Sequence, residues 1–247
     1  VDGLKILENQ FRKEKSTIRK EVLIDTIMLL YDKRIIYFGE EGFVLGRKGV
    51  DLYQYRKPKA EEVVQILQKS VELQGNKSEA GTLVVYVQAA TDLVKAGKFS
   101  KEKLLEIYDR ASTIIDYNIS NTIENRQYFE PAKTNVDAFV TPFAECADLI
   151  VIYSPKVKQN KQDTVLLRKV VKFLSMKNCT SSPLYAEAAE ALYALDPSAF
   201  SAFNLGKLFI EKNQNAKAAN FLQQAVDLEQ DNAKRGEYLL ELANHYF

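Results

Sequence analysis

The chain has 247 residues, of which 46% are apolar and 27% charged, with 34 basic against 33 acidic side chains and only ten Gly and six Pro. This composition excludes a disordered or collagen-like polymer, and a net charge of +1 gives no electrostatic footprint for nucleic acid or an anionic membrane. No apolar run of about eighteen residues is present, so no transmembrane segment is expected. One histidine, His245, leaves almost no material for a Ser-His, Cys-His or His-rich metal site, and it reads as a surface helix residue.

Apolar residues recur at three- and four-residue spacing, and strand-like alternation is nearly absent. The pattern predicts helices over 4–15, 18–38, 46–56, 59–74, 78–96, 101–127, 137–153, 163–177, 182–195, 199–212, 215–229 and 234–247. The β-branched run LVVYV at 83–87 continues with helical period into QAATDLVKAG and is read as buried helix. Most gaps are short and carry Gly, Asn, Pro or Ser, the residues that stop and start helices.

The stretch GEEGFVLGRKGVD, residues 39–51, raises the question of a phosphate loop. A Walker loop needs four residues between its glycine and a Gly-Lys pair, then Ser or Thr, after a strand. Here the Gly42 to Gly46 spacing is one short, Arg47 separates Gly46 from Lys48, Gly49 follows, and a helical pattern precedes. The stretch reads instead as a corner between helices. Gly42 is expected to be the left-handed stop after Tyr37 and Phe38, Gly46 and Gly49 to allow a close helix crossing, and Arg47 and Lys48 to face solvent.

Turn residues near Gly42, Gly75, Asn178 and Asn213 are separated by 33, 103 and 35 positions, close to one, three and one units of a common period. The middle stretch shows two long segments, 101–127 and 137–153, and is read as one enlarged, irregular repeat with QYFEPAKTN at 127–135 as its polar corner. Asn-x-Ser/Thr triplets at Asn76, Asn118 and Asn178 read as turn or helix-end chemistry, and the neighbouring acids Glu40–Glu41 and Glu61–Glu62 as solvated-face charges.

The clearest unit is AFSAFNLGKLFIEKNQNAKAANFLQQAVDLEQDN, residues 199–232. It resembles the tetratricopeptide repeat, with Leu205, Gly206, Phe209, Ala218, Leu222 and Ala225 at the seventh, eighth, eleventh, twentieth, twenty-fourth and twenty-seventh places. Ala202, where the family has a bulky aromatic, and Gln230, where it has Pro, depart from the pattern. LYALDPS at 192–198 looks like the exit of the preceding repeat, 163–198, and YLLELANHYF at 238–247 like the first helix of a following, truncated one, 236–247. The resemblance implies an all-α, right-handed α-solenoid of antiparallel helix pairs. The chain is read as a single helical-repeat domain, 1–247, cut from a longer protein. Such a domain is expected to bind a protein or peptide partner in the groove lined by its first helices. The second, fifth, sixth and ninth places there carry Phe200, Phe203, Asn204 and Lys207.

GEEGFVLGRKGVDLYQYR at 39–56 and CADLIVIYSPK at 146–156 are similar to stretches of extracytoplasmic tetratricopeptide-repeat proteins of Gram-negative anaerobic bacteria. Cys146 and Cys179 are the only cysteines, and adjacent helices could bring them within bridging distance. A disulfide and two independent thiols both stay open on the residues alone, and the resemblance tilts the choice toward a disulfide in the periplasm or envelope, with a cytoplasmic location the alternative. The expected function is a non-catalytic scaffold without cofactor or metal and without a nucleic-acid partner. The alternative is an extracytoplasmic accessory protein of envelope assembly or of nutrient, above all glycan, uptake.

Overall fold

The computed structural model describes residues 2 to 246, with side chains from 3 to 244. The side chains of His245 and Tyr246 therefore lie outside the described residues. Thirteen α-helices and no strand are found among the described residues, and consecutive helices within each of two compact units pack against each other. None of these helices is long and apolar enough to cross a membrane. The chain divides into two compact units, Val1–Phe143 and Ala144–Phe247.

The first unit holds α1 (Asp2–Lys13), α2 (Thr17–Phe38), α3 (Glu41–Tyr55), α4 (Ala60–Gln74), α5 (Ala80–Lys95), α6 (Lys101–Asn121) and α7 (Arg126–Val140). Helices α3, α5 and α7 touch side by side, and Arg110 of α6 pairs with Glu72 of α4 at 2.9 Å, so alternate helices form two layers. Leu83, Tyr86 and Val87 of the LVVYV run are buried in α5. The corner after α2 is made by Gly39 and Glu40, with φ of 73° and 55°, and not by Gly42, which lies inside α3. Gly42, Gly46 and Gly49 instead form the ridge on which α4 crosses α3. A Cβ on Gly42 would lie 2.8 Å from Gln74 Cγ, one on Gly46 3.0 Å from Ser70 Oγ, and one on Gly49 would overlap Leu67. Arg47 is exposed, but Lys48 folds back onto α2 and pairs with Asp32.

The middle of the chain departs from the sequence reading. The segment expected as one helix over 101–127 ends at Asn121, and QYFEPAKTN, expected as a corner, lies inside α7 with Pro131 in its interior. The segment expected over 137–153 is broken at Thr141 and Pro142, where α7 stops. Tertiary packing decides this: Phe129, Ala132, Val136 and Val140 form one buried stripe of α7, which outweighs the lost Pro131 hydrogen bond.

The second unit holds α8 (Cys146–Gln159), α9 (Thr164–Met176), α10 (Pro183–Leu195), α11 (Ala199–Glu211), α12 (Asn215–Leu228) and α13 (Asn232–Tyr246). Pro155 lies inside α8, which runs past the end at 153 that the sequence pattern predicts. The side chains of Asp163, Ser198 and Asp231 each accept an N–H bond that opens α9, α11 and α13, at separations of 35 and 33 residues. Asn178 and Asn213, 35 apart, take the left-handed conformation, with φ of 55° and 54°. In each case the following N–H bonds five residues back, Cys179 to Leu174 at 2.8 Å and Gln214 to Phe209 at 2.9 Å. Gly206 lets α12 approach, since a Cβ there would lie 2.8 Å from Leu222, and Ala218, Leu222 and Ala225 are fully buried in this seam.

Candidate functional site

In the second unit α9, α11 and α13 form one layer, held by α9–α11 packing and by Phe203 of α11 stacked on Tyr238 of α13 at 4.3 Å. Along this layer the Arg168 guanidinium lies 4.9 Å from the Phe200 ring centre, and the Lys207 ammonium 5.9 Å from that of Phe203. Arg168 also pairs with Asp196 and donates to Ser198 Oγ at 3.2 Å, while Lys207 donates to Ser175 Oγ at 3.2 Å. The result is a row of half-buried rings under cations, an arrangement that offers apolar area and N–H donors together.

Of the four residues singled out from the sequence, Phe200, Phe203 and Lys207 lie in this row. Asn204 does not serve it. It is 2% exposed, its amide donates to the Phe200 carbonyl at 2.8 Å, and its Oδ1 accepts from the Tyr185 hydroxyl at 3.0 Å. Its hydrogen-bonding groups are spent on joining α10 to α11. Arg168 and Tyr238 belong to the row and were missed by the sequence reading. Tyr238 stands 35 residues after Phe203, but counting its repeat from residue 236 puts it at the third place and not the fifth. Arg168 stands 35 residues before Phe203, so extending the period backward would have found it.

Burial pushes the Tyr238 hydroxyl above its ordinary value, with Glu229 and Glu237 adding to the effect, so it stays protonated and able to donate. Burial likewise raises the Tyr185 hydroxyl far above that range. Among the described residues no group of three or more His, Cys, Asp or Glu is arranged to hold a metal ion.

Cys146, the first residue of α8, and Cys179, next to the Asn178 turn, are joined by a disulfide, with Cα atoms 5.6 Å apart. The bond ties α8 to the α9–α10 hairpin. Cys179 is 2% exposed.

No protein-family model matches the chain, and no curated protein matches it.

Proposed function

We propose that the chain is a tetratricopeptide-like, right-handed α-solenoid and that it acts as a non-catalytic scaffold, binding a partner segment along α9, α11 and α13. The observation that carries the reading is the row Arg168, Phe200, Phe203, Lys207 and Tyr238, in which a cation–ring contact joins α9 to α11, a second lies within α11, and a ring stack joins α11 to α13. Stacked helix pairs of this kind offer an extended surface, and rings with nearby donors suit a peptide backbone and its carboxylates. The near-regular spacing of the caps at Asp163, Ser198 and Asp231 supports the repeat assignment. The non-catalytic reading rests on where the hydroxyl-carboxylate pairs go: Tyr31–Asp51, Tyr53–Asp92 and Tyr108–Asp137 each join two helices of the first unit.

A photo-crosslinker placed at position 203 or 207 of the protein in its native cells tests the scaffold. The reading requires one reproducible protein partner linked from these positions and not from Gln223, exposed on α12. Links of equal yield from both faces, or none from α11, would sink it.

The Cys146–Cys179 disulfide favours a second, compatible reading, an extracytoplasmic accessory of envelope assembly or glycan uptake, because such bonds persist in oxidising compartments. Alkylation of the protein in intact cells tests it. Protection of both cysteines until reductant is added supports an oxidising location, and free thiols in cells argue for the cytoplasm.

A further inference from the structure

The near-neutral total charge conceals a segregation within the first unit. The turns α1–α2, α3–α4 and α5–α6 lie along one edge. Phe11 of α1 packs tilted against Tyr55 of α3 with ring centres 4.6 Å apart, Arg56 pairs with Glu21 and Asp25 of α2, and Lys98 after α5 pairs with Glu61 of α4 at 2.9 Å. The segments that build this edge, 9–22, 53–62 and 92–103, carry twelve Lys and Arg against six Asp and Glu. Lys13, Lys15, Arg19, Lys57 and Lys95 are exposed, and none of them pairs with a carboxylate among the described residues. Lys13, Lys15 and Arg19 line a shallow depression with Gln10, Glu14, Val22 and Leu23. The one acid in it, Glu14, is tied down by the N–H groups of Lys15 and Ser16, both at 2.8 Å.

Two exposed aliphatic side chains stand among these cations, Ile18 at 80% and Val22 at 60% exposure. They are separated by one helical turn and so share a face of α2. Isolated aliphatic groups beside phosphates gain nothing on a nucleic-acid duplex. At a lipid interface the same groups enter the boundary between headgroups and acyl chains while lysines meet the anionic headgroups. The rings at this edge are also unsuited to stacking bases: Phe11 lies against Tyr55 and under Lys20, and Tyr53 is buried under Lys57.

From this charge complementarity and the aliphatic tip we infer that the α1–α2, α3–α4 and α5–α6 edge seats on an anionic lipid surface. The contact is peripheral and electrostatic, with Ile18 as its apolar anchor. It is independent of the partner face on α9, α11 and α13.

Flotation of the full chain with vesicles tests the inference, using phosphatidylcholine alone and an equimolar mixture with phosphatidylglycerol. Binding is expected only to the anionic vesicles and is expected to be lost as salt rises, since exposed charges are screened over about 10 Å at 0.1 M. The triple variant K13Q/K15Q/R19Q should weaken partition on the order of a hundredfold. I18S should weaken it several-fold without changing the salt response, and K69Q/K77Q on the opposite edge should leave it intact. The substituted cations are exposed, and circular dichroism of each variant checks that the helices persist. Absence of flotation at low salt, or a triple variant that floats as well as the parent, overturns the proposal. Tighter retention on a DNA duplex than on vesicles, indifferent to I18S, overturns it in favour of nucleic acid. The salt response of the unaltered chain decides even where a variant fails to fold.

Discussion

Asn204 and Gly49 show how one side chain, or its absence, sets the distance between two helices. The Asn204 side chain accepts from the Tyr185 hydroxyl and donates to the Phe200 carbonyl in a site closed to water, so Asn204→Ala removes both bonds and leaves the hydroxyl only the backbone carbonyl of residue 204 at 3.0 Å. A loss of about 1–3 kcal/mol is expected, read as a lower urea midpoint. Gly49→Ala drives a methyl into Leu67 across the α3–α4 crossing and should cost a similar amount, about 1–3 kcal/mol by overpacking. Gly81, on an open face of α5, is the control: with no neighbour within 4 Å, Gly81→Ala should be neutral or stabilising by up to about 1 kcal/mol. Equal losses at both glycines would disprove the close-crossing account. Asp51 adds a pH dependence. Burial raises its carboxyl above the ordinary 3.8, with Glu8 reinforcing the effect, and the Tyr31 hydrogen bond only partly restores the charged form. The folded state therefore holds the proton more tightly, and stability falls as pH rises from 3.8 through the folded-state pKa. Asp51→Asn should remove that falling component, which the difference between the two stability-pH curves from urea unfolding will show.

At the level of the element, much of the architecture is legible in the sequence, because most helices here bury one stripe and carry their caps beside it. The 3.6-residue period places α2, α4, α5 and α9 to α12 to within a few residues, and Asn178 and Asn213 mark the turns they make. The stretch from 101 to 159 misleads because two of its three prolines do not stand at helix ends. Pro131 and Pro155 lie inside helices and free the carbonyls of Gln127 and Val151, but both of those residues are exposed, so water takes the place of the lost bond. The true breaks follow Asn121 and Val140, where the packing of α7 decides. In the candidate site Phe200, Phe203 and Lys207 follow from repeat places, whereas the structural duty of Asn204 depends on a hydroxyl nineteen residues earlier and has no local mark. The disulfide is the element-scale restraint that period alone leaves open. Removing it as C146S/C179S frees a 33-residue separation and should cost roughly 3–4 kcal/mol in the chain-entropy model. Hydrogen exchange should then rise first in α8, whose buried residues are only Leu149, Tyr153 and Val157.

Within each unit, each helix contacts near neighbours in sequence, so cooperativity there is transmitted step by step and not through one central core. The division into Val1–Phe143 and Ala144–Phe247 is where such a chain loses cooperativity most easily. The disulfide lies wholly within the second unit, while the Tyr31–Asp51, Tyr53–Asp92 and Tyr108–Asp137 bonds and the glycine ridge of α3 lie wholly within the first. A reducing agent should therefore lower the unfolding midpoint of 144–247 and leave that of 1–143 unchanged, and Gly49→Ala should do the reverse. Hydrogen exchange across a urea series resolves the two by peptide, following α5 and α6 for one unit and α8 to α10 for the other. Two transitions that move separately would establish that the proposed partner face and the basic edge rest on independently stable supports. A common shift under both perturbations would show one cooperative body, in which loss of the disulfide would also loosen the edge built from α1 to α6.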